Sequence, residues 1–251
     1  MNVTSEDATL RPHEFYYDDL RRMEAARNYL DWQFSFLDPS LGRRILEIGS
    51  GIGSFTRRLA VKADYVDCIE PDPVCFRRLR AVAGSLPNVA IHNIPIEGLP
   101  ALGMLRAPYD TVVCVNVLEH IEDDQAALGL LRSALDEKGK LLLQIPACPM
   151  AFGSIDRRLG HYRRYSRLDV LRLAARARLV VTELRFFNSI GVWAWFVNNR
   201  ILKRRSQTAA QIKIFDVLLV PVLRLVERHL PPRFGQSLFA VLQRDKDISG
   251  T

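Results

Sequence analysis

Ile45-Leu46-Glu47-Ile48-Gly49-Ser50-Gly51-Ile52-Gly53-Ser54-Phe55 carries a strand-like apolar run into alternating glycines and then toward a helix. Glycine lets a backbone turn tightly and approach a ligand closely, so this passage is a candidate binding turn. A glycine-rich turn alone is a weak signal. Three features sharpen it: the spacing is GxGxG rather than the GxGxxG of pyrophosphate binding, Glu47 precedes it, and Glu70 closes the next apolar run, 19 residues beyond Gly51. A strand-end carboxylate about 20 residues past such a turn is placed to accept hydrogen bonds from ribose hydroxyls. Glu47 has no task in a nicotinamide site, whereas a carboxylate beside the turn suits the ammonium of a methionine moiety.

Outward from this turn, between Arg43 and Gln144, β-branched runs alternate with segments of helical spacing, the pattern of βα units around a mainly parallel sheet. The pattern predicts strands over Arg43–Ile48, Tyr65–Glu70, Val89–His92, Thr111–Asn116 and Lys140–Ile145. Helices are predicted over Ser54–Val61, Pro73–Ala83 and Asp123–Leu135, the last ending in a turn at Asp136-Glu137-Lys138-Gly139. A helix over Arg167–Arg178 and strands over Leu179–Phe186 and Ser237–Arg244 follow, which suits a sheet ending in an antiparallel pair.

With 251 residues, 48% of them hydrophobic, the chain can bury a full core, and no linker divides it. It is expected to form one domain: a helical cover over 1–40, with its helix at Asp18–Phe36, a core over 41–187, a helical insertion over 188–236, and a final strand and tail over 237–251. Pro221 and Pro231-Pro232 are expected breaks within the insertion. The start, Met1 to Asp7, lacks a secretory signal, and no apolar run approaches the roughly 18–20 residues of a membrane span, so a cytoplasmic location is expected. Cys68, Cys75, Cys114 and Cys148 are scattered without metal-ligand spacing; buried thiols and no bound metal are expected.

The net charge of +7 is unevenly placed. Residues 156–178 hold eight Arg against two Asp, and residues 188–236 hold eight Lys or Arg against Asp216 and Glu227, leaving the remainder acidic. An acidic partner such as a phosphate-bearing substrate, an anionic lipid surface or nucleic acid would meet the C-terminal half.

The chain resembles the class I methyltransferases, in particular the small-molecule group that includes the ubiquinone and menaquinone enzymes. The resemblance rests on Glu47 to Gly53, on Glu70-Pro71-Asp72, on Tyr109 to Ile121 and on Leu131 to Pro146, and covers about residues 41–187. It implies an α/β, doubly wound, seven-stranded sheet in the order 3-2-1-4-5-7-6, and S-adenosylmethionine as cofactor. By the same resemblance Gly49, Ser50, Gly51 and Gly53 shape the methionine pocket, Glu70 holds the ribose, Pro71 flanks the adenine, and Asn116 and Val117 line the site. Pro95 stands where relatives often place an Asp for the adenine amino group, which leaves Asn93 or the backbone near Ile96 for that contact.

The fourth strand ends in Asn116-Val117-Leu118-Glu119, not in the pattern that grips a nucleobase amino group, so a nucleic-acid substrate is disfavoured. The segment Asp156 to Ser166 follows the fifth strand, at the sheet edge where ligands of doubly wound folds bind. His161 there fits a general base, with Tyr162, Arg163 and Arg164 as acceptor contacts; the alternative is a loop held by Arg–Asp pairs with His161 as a strut. In the insertion, Trp193, Trp195 and Phe196, then Lys203-Arg204-Arg205, then the apolar run Val217–Leu223 suit a membrane interface or a lipid-like substrate contacted by Trp193; a lid or a homodimer interface is the alternative. The leading expectation is O-methylation of a small or lipid-linked, anionic acceptor. An RNA-binding methyltransferase, and a fold that binds the cofactor without transferring its methyl, are the other readings.

Overall fold

In the computed structural model, residues 12–103, 106, 108–203 and 208–245 are described; Met1 to Asp7 and Arg204-Arg205, named above, lie outside them. Successive residues of a strand point to opposite faces of its sheet, so a strand apolar at every position needs cover on both sides. The central strands approach this limit, buried at most positions though not apolar at all of them: β1 (Arg44–Ile48), β4 (Tyr109–Val115) and β5 (Leu135–Pro146). Leu46, Val112, Leu141 and Leu143 enter one core, while Ile45, Val113 and Leu142 enter the other.

The sheet has seven strands in the order β3-β2-β1-β4-β5-β7-β6, as expected, with β2 at Tyr65–Ile69, β3 at Val89–His92, β6 at Leu179–Phe187 and β7 at Ser237–Arg244. β7 runs antiparallel to both β5 and β6; the other pairings are parallel. One core packs under α5 (Asp124–Ala134) and α7 (Arg167–Arg176). The other packs under α2 (Arg27–Leu37), α3 (Thr56–Lys62) and α4 (Pro73–Ala83), with α1 (Pro12–Glu24) beside them. Local chemistry sets several helix starts. Asp72 accepts from the Val74 and Cys75 N–H groups and precedes Pro73, while Ser166 and Asp169 cap each other at the start of α7.

The expected turn at Asp136–Gly139 joins the ladder instead: β5 begins at Leu135, opposite Tyr109, and the register shifts before Thr111. Asp136 accepts from Lys138 N–H and pairs with Arg44, drawing the turn back onto the sheet. Gly139 permits that approach, since a Cβ there would meet the Tyr109 carbonyl at 2.8 Å.

α6 (Ser154–Leu159) follows β5, and between β6 and β7 lie α8 (Ser189–Phe196), whose Trp195 reaches Asp156 of α6, then α9 (Ala209–Ile214) and α10 (Val220–His229). Pro221 does not interrupt the path: a wide π-helical turn over Phe215–Leu219 joins α9 to α10, with Pro221 in the first turn of α10 where its missing N–H costs nothing. Asp216, buried in that turn, accepts from Tyr29 N–H at 2.8 Å and from Asn28, satisfying the start of α2 from 187 residues away. Glu227 does the same for α8, accepting from Asn188 and Ser189 N–H. Asp216→Ala leaves buried donors unpaired and is expected to cost about 1–3 kcal/mol. Urea denaturation checks this, with Asp216→Asn recovering part of the loss.

Candidate active site

β1 and β4 are neighbours whose connections depart in opposite directions, so a crevice opens beyond their carboxyl ends. There Gly49, Gly51 and Gly53 adopt φ of 63°, 56° and 88°. Gly49 is fixed by space as well, since a Cβ would lie 2.4 Å from Val117 Cγ2. The crevice is a cleft of about 200 Å³ walled by Gly49–Gly51, Asn116, Glu119, His161, Trp195 and residues of α1. Leu20 of α1 comes within 3.2 Å of where a Gly51 Cβ would stand.

Two carboxylates serve the turn. Glu70, at the end of β2, accepts from Gly51 N–H at 2.7 Å and Asp72 N–H at 2.9 Å. Glu47 lies beneath the turn on the α3 side, accepting from Thr56 Oγ1 at 2.6 Å and from the Cys68 thiol. Burial raises both to about 7, against the lowering effect of those hydrogen bonds. Asn93 Nδ2 donates to the Glu70 and Pro71 carbonyls, tying the end of β3 to the end of β2. The Ile96 side chain is buried in the core, and the residue does not line this cleft.

The opposite wall is built by the loop after β5. His161 Nδ1 lies 3.1 Å from Asp156 Oδ1, which also accepts from Arg164 Nε at 2.8 Å. Asp156 Oδ2 accepts from Gly153 N–H, Trp195 Nε1 and Asn199 Nδ2. Burial would raise this carboxyl, but the bonds from His161, Arg164 and Asn199 outweigh it and hold Asp156 down at about 2. Arg164 is thus a buried strut under Trp195, while Arg163 pairs with Asp124 at 2.6 Å and donates to the Glu122 carbonyl. Tyr162 is exposed, and its N–H donates to the Glu119 carbonyl. Trp195 lines the cleft; Trp193, two residues earlier, is exposed against Phe234.

Sequence reasoning did not single out Glu119. It is fully buried, neither carboxylate oxygen has a hydrogen-bond partner among the described residues, and burial raises it to about 7. Its carboxylate, His120 and His161 offer atoms within 4.8 Å of one another, a grouping that can hold a proton or a cation. His120 is pushed down to about 3 by burial and by His161, so it is neutral, stacked edge-on between Tyr16 and His161. The four cysteines are free; Cys68, Cys75 and Cys114 are buried.

A family model described as a methyltransferase domain matches residues 18–199, more than half of the chain. The chain belongs to this family. Its fold is that of the class I S-adenosylmethionine-dependent methyltransferases, and the glycine turn with Glu70 fits that cofactor, since Val117 leaves no room for a side chain at Gly49 and Glu70 holds Gly51 N–H at the turn. Curated relatives include tRNA U34 carboxymethyltransferases: that of Pseudomonas savastanoi pv. phaseolicola is 30% identical over 125 residues, 47% of this chain and 38% of the relative. That of Azotobacter vinelandii is 33% identical over 118 residues, 45% and 37%. The methyltransferase therefore spans less than half the length of these relatives, which are tRNA enzymes rather than the quinone enzymes of the expected group. Among solved structures, the N-methyltransferase NodS from Bradyrhizobium japonicum, bound to S-adenosylhomocysteine, superposes with TM-score 0.59 at 17% identity, covering 91% of this chain and 93% of that one. An S-adenosylmethionine-dependent methyltransferase from Mesorhizobium loti gives 0.57 at 18%, covering 86% and 100%. Both show the fold.

The raised carboxyls carry a pH consequence. In the unfolded chain Glu47, Glu70 and Glu119 titrate near 4.5, and in the folded protein near 7, so between these values the folded state binds more protons. Their stabilisation is complete below the lower value and is lost as pH rises through about 7. The cofactor-free methyltransferase is expected to melt lower at about pH 8 than at about pH 5, and Glu119→Gln, which cannot ionise, to flatten that dependence. Thermal scans across the window check it; an unaltered slope in the variant would place the ionisation elsewhere.

Proposed function

We propose that the protein transfers a methyl group from S-adenosylmethionine to an oxygen of a small or lipid-linked, anionic metabolite. The observation that carries this reading is His161, oriented by buried Asp156, on the wall of the cleft that the glycine turn also lines. When bound, the cofactor supplies an electrophilic methyl group on a sulfonium. Gly49, Ser50 and Gly51 shape its methionine end and Asn116 lines the same cleft; Glu70, bonded to Gly51 N–H, is assigned to its ribose, Glu47 and Thr56 back the turn, and Pro71, Asn93, Ile96 and Val117 are the remaining proposed contacts.

Asp156, held ionised, assigns the proton to His161 Nδ1 and leaves Nε2 as an acceptor. Nε2 takes the proton that leaves an acceptor hydroxyl, and ionised Asp156 offsets the positive charge that forms on the ring. Arg164 acts through Asp156 as a positioning residue; Tyr162, Arg163 and, further out, Trp193 are the proposed acceptor contacts. Tyr16, Asp19, Leu20 and Met23 of α1 wall the cleft beside the glycine turn.

The names of the curated relatives favour a second reading, in which the acceptor is RNA held by exposed Arg167, Arg172 and Arg176 on α7. A steep fall of tRNA binding with salt would support it.

Two substitutions separate binding from proton transfer. Glu70→Ala is expected to weaken S-adenosylhomocysteine binding by about 10- to 100-fold, read by calorimetric titration. His161→Ala is expected to leave that affinity near the wild-type value and to lower turnover by about 100- to 10,000-fold. Equal loss of both properties in His161→Ala would make the histidine a strut.

A further inference from the structure

The helix that runs from Ala209 through the wide turn to His229 is apolar on two faces. Its inner face, Ile212, Val220 and Leu223, is buried in the core under α2. Its outer face carries Ile214, Val217, Leu218, Val222, Leu225 and Val226 at helical spacing, and Leu218 and Leu225 are each 62% exposed. Trp193 and Phe234, in edge contact, and Leu230 at 72% exposure extend the apolar surface. Water-facing apolar area on this scale marks a binding surface rather than an ordinary exterior.

Within the 188–236 segment that carries this surface, every exposed Lys, Arg, Asp or Glu described is positive: Arg200, Lys203, Lys213, Arg224, Arg228 and Arg233. The segment's two acids are withdrawn into the protein, Asp216 onto the start of α2 and Glu227 onto the start of α8. A second copy of the chain would oppose this basic rim to itself, whereas an anionic lipid surface complements both the rim and the apolar centre. No helix among the described residues is long and apolar enough to cross a membrane, so the surface suits the plane of the interface. A second cavity, of about 290 Å³, opens beside Ile214, Leu219 and Ala194 of this region. At its inner end it shares Met23, Tyr29, Trp195 and Gln236 with the cleft that holds His161.

We infer that the outer face of α9 and α10 docks on an anionic phospholipid bilayer, and that the second cavity receives the apolar tail of an acceptor drawn from that bilayer toward the cleft. The tail's role rests on the proposed lipid-linked acceptor; the docking does not. The full chain is mixed with phosphatidylcholine vesicles, with or without phosphatidylglycerol, and the bound fraction is read by flotation. Wild type is expected to float with the phosphatidylglycerol vesicles, to be released by salt, and to bind phosphatidylcholine at least about tenfold less. Leu218→Glu/Leu225→Glu is expected to lower binding by at least about tenfold while keeping the wild-type melting temperature and S-adenosylhomocysteine affinity. Ala194→Phe, at the cavity mouth, is expected to keep vesicle binding but to lose a dansyl-labelled fatty acid that wild type binds. Absence of wild-type flotation, undiminished flotation of the double variant, or a wild-type dimer that the double variant converts to monomer would overturn the docking; an unaltered fatty-acid affinity in Ala194→Phe would overturn the tail site. Loss of methyl transfer alone, with flotation intact, would instead count against the proposed reaction.

Discussion

One buried carboxylate, that of Asp156, holds together parts of the chain that have no local reason to meet. Its two oxygens take donors from Gly153, His161, Arg164, Trp195 and Asn199, so the loop after β5 and the insertion after β6 share an anchor. A desolvated charge is tolerated only when its lone pairs are filled, and here five donors fill them. Asn199 extends the join by accepting from Ile155 N–H at 2.6 Å and donating to the Ala151 carbonyl. The orientation of His161 is thus a property of the insertion as much as of its own loop.

The same loop is stitched on its other side to the turn after β4. Tyr162 N–H meets the Glu119 carbonyl, Tyr165 Oη donates to the Leu118 carbonyl and meets Asp124, and Arg163 reaches Asp124 and the Glu122 carbonyl. Polar demand along this seam is met almost entirely by neighbours. Glu119, like Gln125 Oε1 and the Gln144 amide, is an exception among the described residues, and an unmet carboxylate facing a cleft is stored cost that a ligand, a proton or a cation can relieve. The contrast with Asp156 is instructive: two buried acids on one wall, one held ionised by donors and one pushed toward its protonated form by their absence.

The βα framework was legible because its signals are local. Short runs rich in β-branched and apolar residues, helix caps such as Asp72 and Ser166, and glycines demanded by positive φ each act over a few residues. Glu70 was legible by its offset from the turn, since a strand-turn-helix-strand unit has a nearly fixed length. Glu119 was not, because its Leu-Glu-His setting reads as an ordinary helix start and its isolation exists only after α1 and the 156–166 loop close over it. The fate of the arginines was hidden for a related reason: a guanidinium looks free in sequence, and only the fold supplies Asp156 to Arg164 and Asp124 to Arg163. Trp193 and Trp195 differ by half a helical turn, enough to put one in solvent and the other in the cleft.

Tyr29 shows how closely cleft and insertion are linked. Its backbone N–H is held by Asp216 from the wide turn, its ring meets Phe215 and Trp32, and its side chain borders both cavities. A shift of the helix running from Ala209 to His229 would carry Asp216 with it, and the start of α2 could not stay in place without leaving its N–H groups unpaired. Met23, at the end of α1, borders the same two spaces and would follow. Motion of the outer surface is therefore mechanically connected to the wall of the cleft through one carboxylate and a short run of the N-terminal helices, which is the arrangement required if what covers the outer face is to influence what enters the inner one.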